Sequence, residues 1–468
     1  MRSVFLVILA GMVFFSGCKT FEAKPEISLP LTIPDYFSID VGNAGTSGAI
    51  EDWWLFFGSD ELNALIKDAK EGNFDLKILK ARITQAKARV AKEEASFFPG
   101  LGFSIGGQKT GVQVKKAHGS STFYDGSHSW DGSLSGSYTA DVWGEAEAGK
   151  QAQVLSLEAV NQDLRVATHD LTADIAETWI DILAARNKKS ILDNQIKINK
   201  TLLELQKLRF ANGKANALDV SQQREALAAA SSQVPLLEKQ EQLLLNHLAF
   251  LSGKTPMDLL RVKTDILPDP LPLSSAGIPS DLLKNRPDVQ AAAMRLLSSQ
   301  WSVTAAKADL LPSFKLTAQA MFSSGKLDLF FQNWVAALAG SIAGPIFDGG
   351  LRKAEVNRAK AAVEGQLAVY AKTIAKAIRE VEDRLVSIQK QEAYITLLEE
   401  ELDLVRLTLK DARVQYQNGQ SSYLSYLIAW TSIERLERQL VGERATMLKE
   451  RIRLYRNLGW KQEQKNDL

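Results

Sequence analysis

Apolar residues recur every seventh position from Val381 through Ile388, Ile395, Leu402 and Leu409 to Tyr416. They lie in a stretch of about 350–419 that contains no proline. A seven-residue spacing keeps one seam of a helix against its neighbours over many turns. Helices of globular domains usually end after three or four turns. At ~1.5 Å per residue this one would run on the order of 100 Å. Moving 206 residues towards the N terminus gives Ile175, Ile182, Lys189, Ile196, Leu203 and Phe210, apolar at five of six positions. Phe210-Ala211-Asn212-Gly213 then stands opposite Tyr416-Gln417-Asn418-Gly419, and Leu218 opposite Leu424. Phe98-Pro99 resembles Leu311-Pro312 at a shift of 213, so the halves differ by a few loop residues. The chain is two copies of one architectural unit.

The remaining helical periods fit that scheme. Residues 60–70 form a short amphipathic helix through Leu62, Leu65, Ile66 and Ala69, and Gly72-Asn73 ends it. Each half then predicts a helix of about 23 residues (75–98; 288–310), a long one (145–212; 350–418) and a shorter one (218–251; 424–458). Stacked end to end, the two shorter helices nearly match the long one, which would give parallel-sided columns on a cylinder wall. Pro235 should kink its helix.

Between the first and the long helix of each half the period changes from helix to strand. Leu101, Phe103 and Ile105 alternate with Gly102, Ser104 and Gly106. Trp130, Leu134, Tyr138, Ala140 and Val142 return after an expected polar loop at 107–129, for a hairpin of about 101–142. In the second half Phe314, Leu316, Ala318, Ala320 and Phe322 are followed by Trp334, Ala336, Leu338 and Ile342. Strands of about ten residues, apolar on one face and small or polar on the other, are the pattern of transmembrane β-strands around a wet lumen. A half-buried soluble sheet gives the same alternation, but matching hairpins in two repeats favour the barrel. Four strands cannot close one, and open edges cannot sit in lipid. The chain must therefore share its barrel with copies of itself. Two copies supply eight strands, which enclose only side chains; a channel favours three or more.

The ends and the composition narrow the picture. Met1-Arg2 precedes an apolar run from Val4 to Phe15, too short to span a bilayer as a helix, and Ser16-Gly17-Cys18 follows. This reads as a secretory signal. Cys18 is the only cysteine, with no disulfide partner. Phe15-Ser16-Gly17-Cys18 resembles a bacterial lipobox, although Phe15 replaces the usual leucine. Cys18 would then carry a covalent lipid, and Lys19 after it fits sorting to the outer membrane. Residues 19–49, rich in Pro, Gly, Ser and Thr, read as an extended tether with little packing. The linker between the halves holds Pro268, Pro270 and Pro272. With 56 basic and 55 acidic residues, net charge gives no hint of nucleic acid. His118, His128, His169 and His247 form no metal-ligand spacing. No nucleophile elbow, metal cluster or carboxylate pair suggests an enzyme, and no cofactor is expected beyond the lipid. Asp141 and Asp348 read as helix caps, and Trp130, Trp143 and Trp334 as belt or packing aromatics.

The layout resembles the TolC family of outer-membrane efflux channels, in its lipid-anchored OprM-like branch (RND-type, NodT subfamily). The matching pieces are Trp53-Trp54 with Phe57, Asn285-Arg286-Pro287-Asp288-Val289, Leu311-Pro312, Gly344-Pro345-Ile346-Phe347-Asp348-Gly349-Gly350, and the Tyr416…Gly419…Tyr423-Leu424 turn. They span nearly the whole mature chain. The resemblance implies an α+β membrane protein with long antiparallel helices in a coiled-coil barrel and four transmembrane strands per chain. A homotrimer would share one 12-stranded β-barrel. The implied divisions are a signal peptide 1–17, a lipidated tether 18–50, a first repeat 51–256, a linker 257–280, a second repeat 281–460 and a tail 461–468.

The resemblance further implies the exit duct of a tripartite efflux system, anchored in outer-membrane lipid. Its partners would be a periplasmic adaptor (membrane-fusion) protein and an inner-membrane pump of RND type, with no nucleic acid. Type I protein secretion, metal-ion efflux and a non-transporting coiled-coil scaffold are the alternatives. The family's periplasmic end corresponds to residues 211–220 and 416–427. There Leu424 and Leu427 would form an apolar constriction, braced by Tyr416 and with Asp219 retained from the first half. Gly213 and Gly419 would make the turns that meet the adaptor. Gln415 and Ile428 depart from the family's usual arginine and acidic residue, which favours an apolar seal over charged links.

Overall fold

The computed structural model describes residues 29–39, 52–115, 122–256, 262–271 and 279–459. After a 3-10 turn at Trp53–Phe57 the longer helices are α1 Asp60–Gly72, α2 Phe74–Glu94, α3 Glu145–Ala211, α4 Ala217–Leu251, α5 Pro287–Ala308, α6 Leu351–Gln417 and α7 Tyr423–Leu458, with a single helical turn at Leu282–Asn285 before α5. The strands are β1 Gly100–Lys115, β2 Thr122–Ala140, β3 Ser313–Ser324 and β4 Trp334–Ala343. Both long helices, α3 and α6, run 67 residues without a break and start and stop 206 residues apart. The starts of α2 and α5, and of β1 and β3, are 213 apart, so the first hairpin is the longer one. Two compact units emerge, each drawing on both repeats.

One unit comprises Arg82–Asn161 and Ala291–Tyr370. Its centre is an antiparallel sheet of order β1-β2-β3-β4. Register places Phe103 opposite Leu134, Tyr138 opposite Leu316, and Ala318 opposite Leu338, so the apolar positions share one face. That face is open in the protomer: Phe103 is 81% exposed and Ile342 68%. The expected loop at 107–129 is largely strand. Pairing continues from Gly107↔Trp130 to Lys115↔Thr122. Ladder hydrogen bonds need backbone, not apolar side chains, so loss of alternation did not end the strands. Beyond Ser324↔Trp130, β1 and β2 continue as a two-stranded ribbon without β3.

The strands hand over to the long helices by the same device in both repeats. Asp141 accepts from the backbone N–H groups of Ala146 and Glu147 at 3.1 and 2.9 Å. Asp348 accepts from Gly350 and Arg352 at 2.9 and 3.3 Å. Both acids satisfy orphan donors of a first helical turn, as expected of caps. Trp143 packs rather than facing lipid: its Nε1 donates to the Pro312 carbonyl at 2.7 Å. Helix contacts in this unit use small residues; Ser298 donates to the Ala152 carbonyl at 2.8 Å beside buried Ala148, Ala159 and Ala292.

The other unit comprises Leu31–Ala81, Gln162–Gln290 and Ala371–Leu468. Its core gathers Trp53, Leu62, Ile66, Ile175, Trp179, Ile182, Leu248, Ile452 and Tyr455. Trp53 stacks on Tyr455 at 6.2 Å, and Trp179 donates to Glu61 at 3.0 Å. Leu62, Leu65, Ile66 and Ala69 are all buried, as the period of α1 requires. The proline-rich connection is tied down at its described residues. Val262 and Leu271 are buried, and Arg186 donates to the Val262 carbonyl at 2.7 Å. The described part of the tether also packs more than its composition suggests. Leu31, Ile33, Phe37 and Ile39 alternate as half-buried residues, and the Ser38 backbone donates to Glu382 at 2.7 Å. Extended chain with an apolar residue at alternate positions can lay one edge on a helix surface.

Candidate functional site

The ends of α3 and α6 and the starts of α4 and α7 carry the residues singled out in the sequence. Gly213 and Gly419 have φ of 70° and 73°. The left-handed conformation closes each long helix. Gly213 N–H donates to the Phe210 carbonyl and Lys214 N–H to Arg209, at 2.9 and 2.8 Å. Gly419 and Gln420 repeat this pattern on Tyr416 and Gln415. A paired closure of this kind is why glycine stands there.

The next helices start differently. Asn216 and Asp219 form a reciprocal capping box: Asn216 Oδ1 accepts from Asp219 N at 2.8 Å, and Asp219 Oδ2 accepts from Asn216 N at 3.1 Å. At the matching positions, 206 residues on, stand Ser422 and Ser425. Ser422 makes no side-chain cap bond. The first turn is clasped and the second is not. Within the protomer the Asp219 carboxylate is spent on its own helix.

Tyr416 packs against Tyr423 at 5.3 Å and Tyr426 at 6.4 Å, and its hydroxyl donates to Gln206 Oε1 at 3.1 Å. The Arg209 guanidinium lies 4.7 Å from the Tyr416 ring centroid. Leu424 is 45% exposed and Ile428 56%, while Leu427 is 7% exposed. Leu424 and Leu427, paired in the sequence argument, therefore occupy different environments. Cys18 lies outside the described residues.

A set of residues that the sequence argument missed lies beside these turns. Gln195, Asn199, Gln206, Gln223 and Glu434 are all buried. Asn199 Nδ2 donates to Glu434 Oε1 at 2.6 Å, and Gln223 Nε2 donates to Asn199 Oδ1 at 2.9 Å. The Tyr423 hydroxyl closes the chain on Gln223 Oε1. Gln195 Nε2 donates to the Glu434 carbonyl at 3.1 Å. Burial pushes the Glu434 carboxyl above its usual range, against the hydrogen bond from Asn199. Burial likewise raises the Tyr423 phenol, with Tyr426 and Tyr416 adding to it.

The opposite seam of α7 is apolar. Leu398 and Leu402 of α6 pack on Ile433 and Leu436, with Val405, Leu409 and Leu440 around them. The positions matching Asn199, Gln206 and Gln223 in the second repeat are Val405, Ala412 and Ala429. Beside the turns the buried contacts of α7 are apolar towards α6 and hydrogen-bonded towards α3 and α4, while ion pairs such as Arg435–Glu401 and Arg444–Glu399 also join α7 to α6. Polar residues at seam spacing, 195, 199 and 206, were the available signal.

A repeated pair of uninterrupted helices joined to lipid-type hairpins defines a membrane channel with a helical body. Similarity agrees. The chain belongs to the outer membrane efflux protein family, whose model matches residues 65–254 and 278–460. It is 30% identical over 458 residues to the pyoverdine export outer membrane protein OpmQ of Pseudomonas aeruginosa, covering 97% of this chain and 96% of that protein. It is also 30% identical over 466 residues to the toluene efflux pump outer membrane protein TtgF of Pseudomonas putida, covering 96% and 95%. The solved outer-membrane channel OprN superposes with a TM-score of 0.84 at 23% identity, over 95% of this chain and 99% of that one. The protein is an outer-membrane efflux channel of TolC-like fold.

Proposed function

We propose that three copies of this chain close one twelve-stranded barrel and act as the passive exit duct for a periplasmic adaptor and an inner-membrane pump of RND type. The observation that carries this is the four-stranded sheet with two free edges, β1 and β4. In lipid each unpaired backbone group costs several kcal/mol. Pairing β4 of one copy with β1 of the next removes both edges and puts the exposed apolar face towards lipid.

In this reading Gly213 and Gly419 shape the turns that meet the adaptor. Leu424, exposed in the protomer, lines the constriction, while buried Leu427 and the Tyr416 cluster hold its helix in place. Asp219 secures the first turn through its capping box. Cys18 carries the lipid that anchors the N terminus to the outer membrane. OpmQ and TtgF, by their names, serve pyoverdine export and toluene efflux. Small organic molecules are therefore the proposed cargo, selected by the pump.

The test is efflux of a fluorescent substrate in a strain lacking its own outer-membrane channel but retaining adaptor and pump. Restored efflux supports the duct. In planar bilayers Leu424→Ser should raise the resting conductance of the purified protein; an unchanged conductance removes Leu424 from the constriction.

A further inference from the structure

This inference rests on the barrel proposed above: the side of the sheet that would then face lipid ends in a cationic rim. Along β1 this face reads Leu101, Phe103, Ile105, Gly107, Lys109. Across the ladder the partners of the last two are Trp130 and His128. Trp130 lies over Gly107: a Cβ added there would sit 2.8 Å from its ring. Phe322 and Trp334 pair one level below Trp130. Together they form the aromatic belt that marks an interface. Lys109 and His128 pair two residues beyond it, ~7 Å further along the strands. They lie towards the hairpin tips, away from the strand ends that join the helices.

The next hairpin adds to the rim. Gly325 approaches the His128 carbonyl, 3.3 Å from a Cβ built on it, and exposed Lys326 follows. At this height the paired cations and the acid, Asp131, lie on opposite faces of the sheet. Asp131 accepts from Ser129 and Ser323 at 3.1 and 2.7 Å. Asp328, in the short turn after Lys326, is the neighbouring acid.

We propose that Lys109, His128 and Lys326 bind the phosphate groups of a phosphorylated glycolipid in the outer leaflet. Their height beyond the belt is headgroup depth. The two ammonium groups supply charge, and the imidazole N–H supplies a hydrogen bond. Neutral residues on this face would serve the apolar band equally well, so charge complementarity to an anionic headgroup accounts for the rim.

The full chain, purified in detergent, is titrated with diphosphoryl lipid A, with the same lipid stripped of phosphate, and with inorganic phosphate. Bound lipid is counted by native mass spectrometry. Losing each lysine should weaken lipid A binding roughly fivefold. The triple variant K109Q/H128Q/K326Q should therefore bind lipid A no better than wild type binds the stripped lipid. Asp131→Asn, on the other face, should bind as wild type does. Equal binding by the triple variant overturns the proposal. So does displacement of lipid A by an equal concentration of inorganic phosphate, which would mark a site for a soluble anion.

Discussion

Asn199 donates its side-chain amide to the carboxylate of Glu434 at 2.6 Å, with both residues buried between α3 and α7. The contact bonds the first repeat to the second through a group that burial disfavours in its charged form.

Glu434 should therefore make stability depend on pH. Burial holds its pKa above the ordinary 4.5. The folded chain binds this proton more tightly than the unfolded chain. Its contribution is most favourable at acid pH and is lost as pH rises from about 4.5 through the raised folded value. Glu434→Gln keeps an acceptor for Asn199 and never ionises. Thermal melts should place this variant above wild type near neutral pH, with the gap closing towards pH 4. A gap that widens on acidification would reverse the assignment. Glu434→Leu strands the Asn199 amide and should cost about 1–3 kcal/mol.

The two turns should respond differently to equivalent damage. Asp219→Ala opens the capping box and should cost ~1 kcal/mol. Ser425→Ala, at the matching position, should cost almost nothing, because Ser422 and Ser425 make no such box. Gly213→Ala and Gly419→Ala meet no atom within 4 Å, so backbone strain alone should cost about 1 kcal/mol each. Denaturant midpoints separate these cases; equal losses at Asp219 and Ser425 would contradict the asymmetry.

Arg286 is a buried hub. It donates to Asp288 at 2.7 Å, to Glu380 at 2.9 Å and to the Asn457 carbonyl at 3.2 Å. Burial pushes the Asp288 carboxyl up, but the Arg286 guanidinium, the Val289 N–H and Lys376 together hold it below the usual carboxylate range. Arg286→Met takes the buried cation from Asp288 and leaves Glu380 only Lys376, at 3.5 Å, and should cost about 3–5 kcal/mol. Adding Asp288→Asn and Glu380→Gln should recover part of that loss. Recovery is read from the melting temperature; no recovery would mean that packing of the arginine stem dominates.

Helix ends, the internal repeat and strand faces were legible because each rests on local periodicity and glycine chemistry. Asp141 and Asp348 were readable as caps from their place between strand and helix. The long ribbon of β1 and β2 was not, because its ladder lies in backbone that glycine and serine leave unmarked in a hydropathy pattern. The polar seam was missed for a related reason. Leu192, Asn199 and Gln206 keep the seven-residue spacing, but amides leave no mark in a hydropathy pattern, and of the apolar positions beside them, Ile196, Leu203 and Phe210, only Leu203 is buried. Leu424 and Leu427 looked equivalent because spacing cannot tell which of two close apolar residues its own chain will bury.

The central claim is that the chain's sheet is completed by copies of itself. Light scattering of the detergent-extracted protein, with the detergent contribution subtracted, measures the number of chains directly. Three chains per particle is the predicted result. A folded monomer would contradict the shared barrel and would return the four strands to a soluble sheet on a helical scaffold.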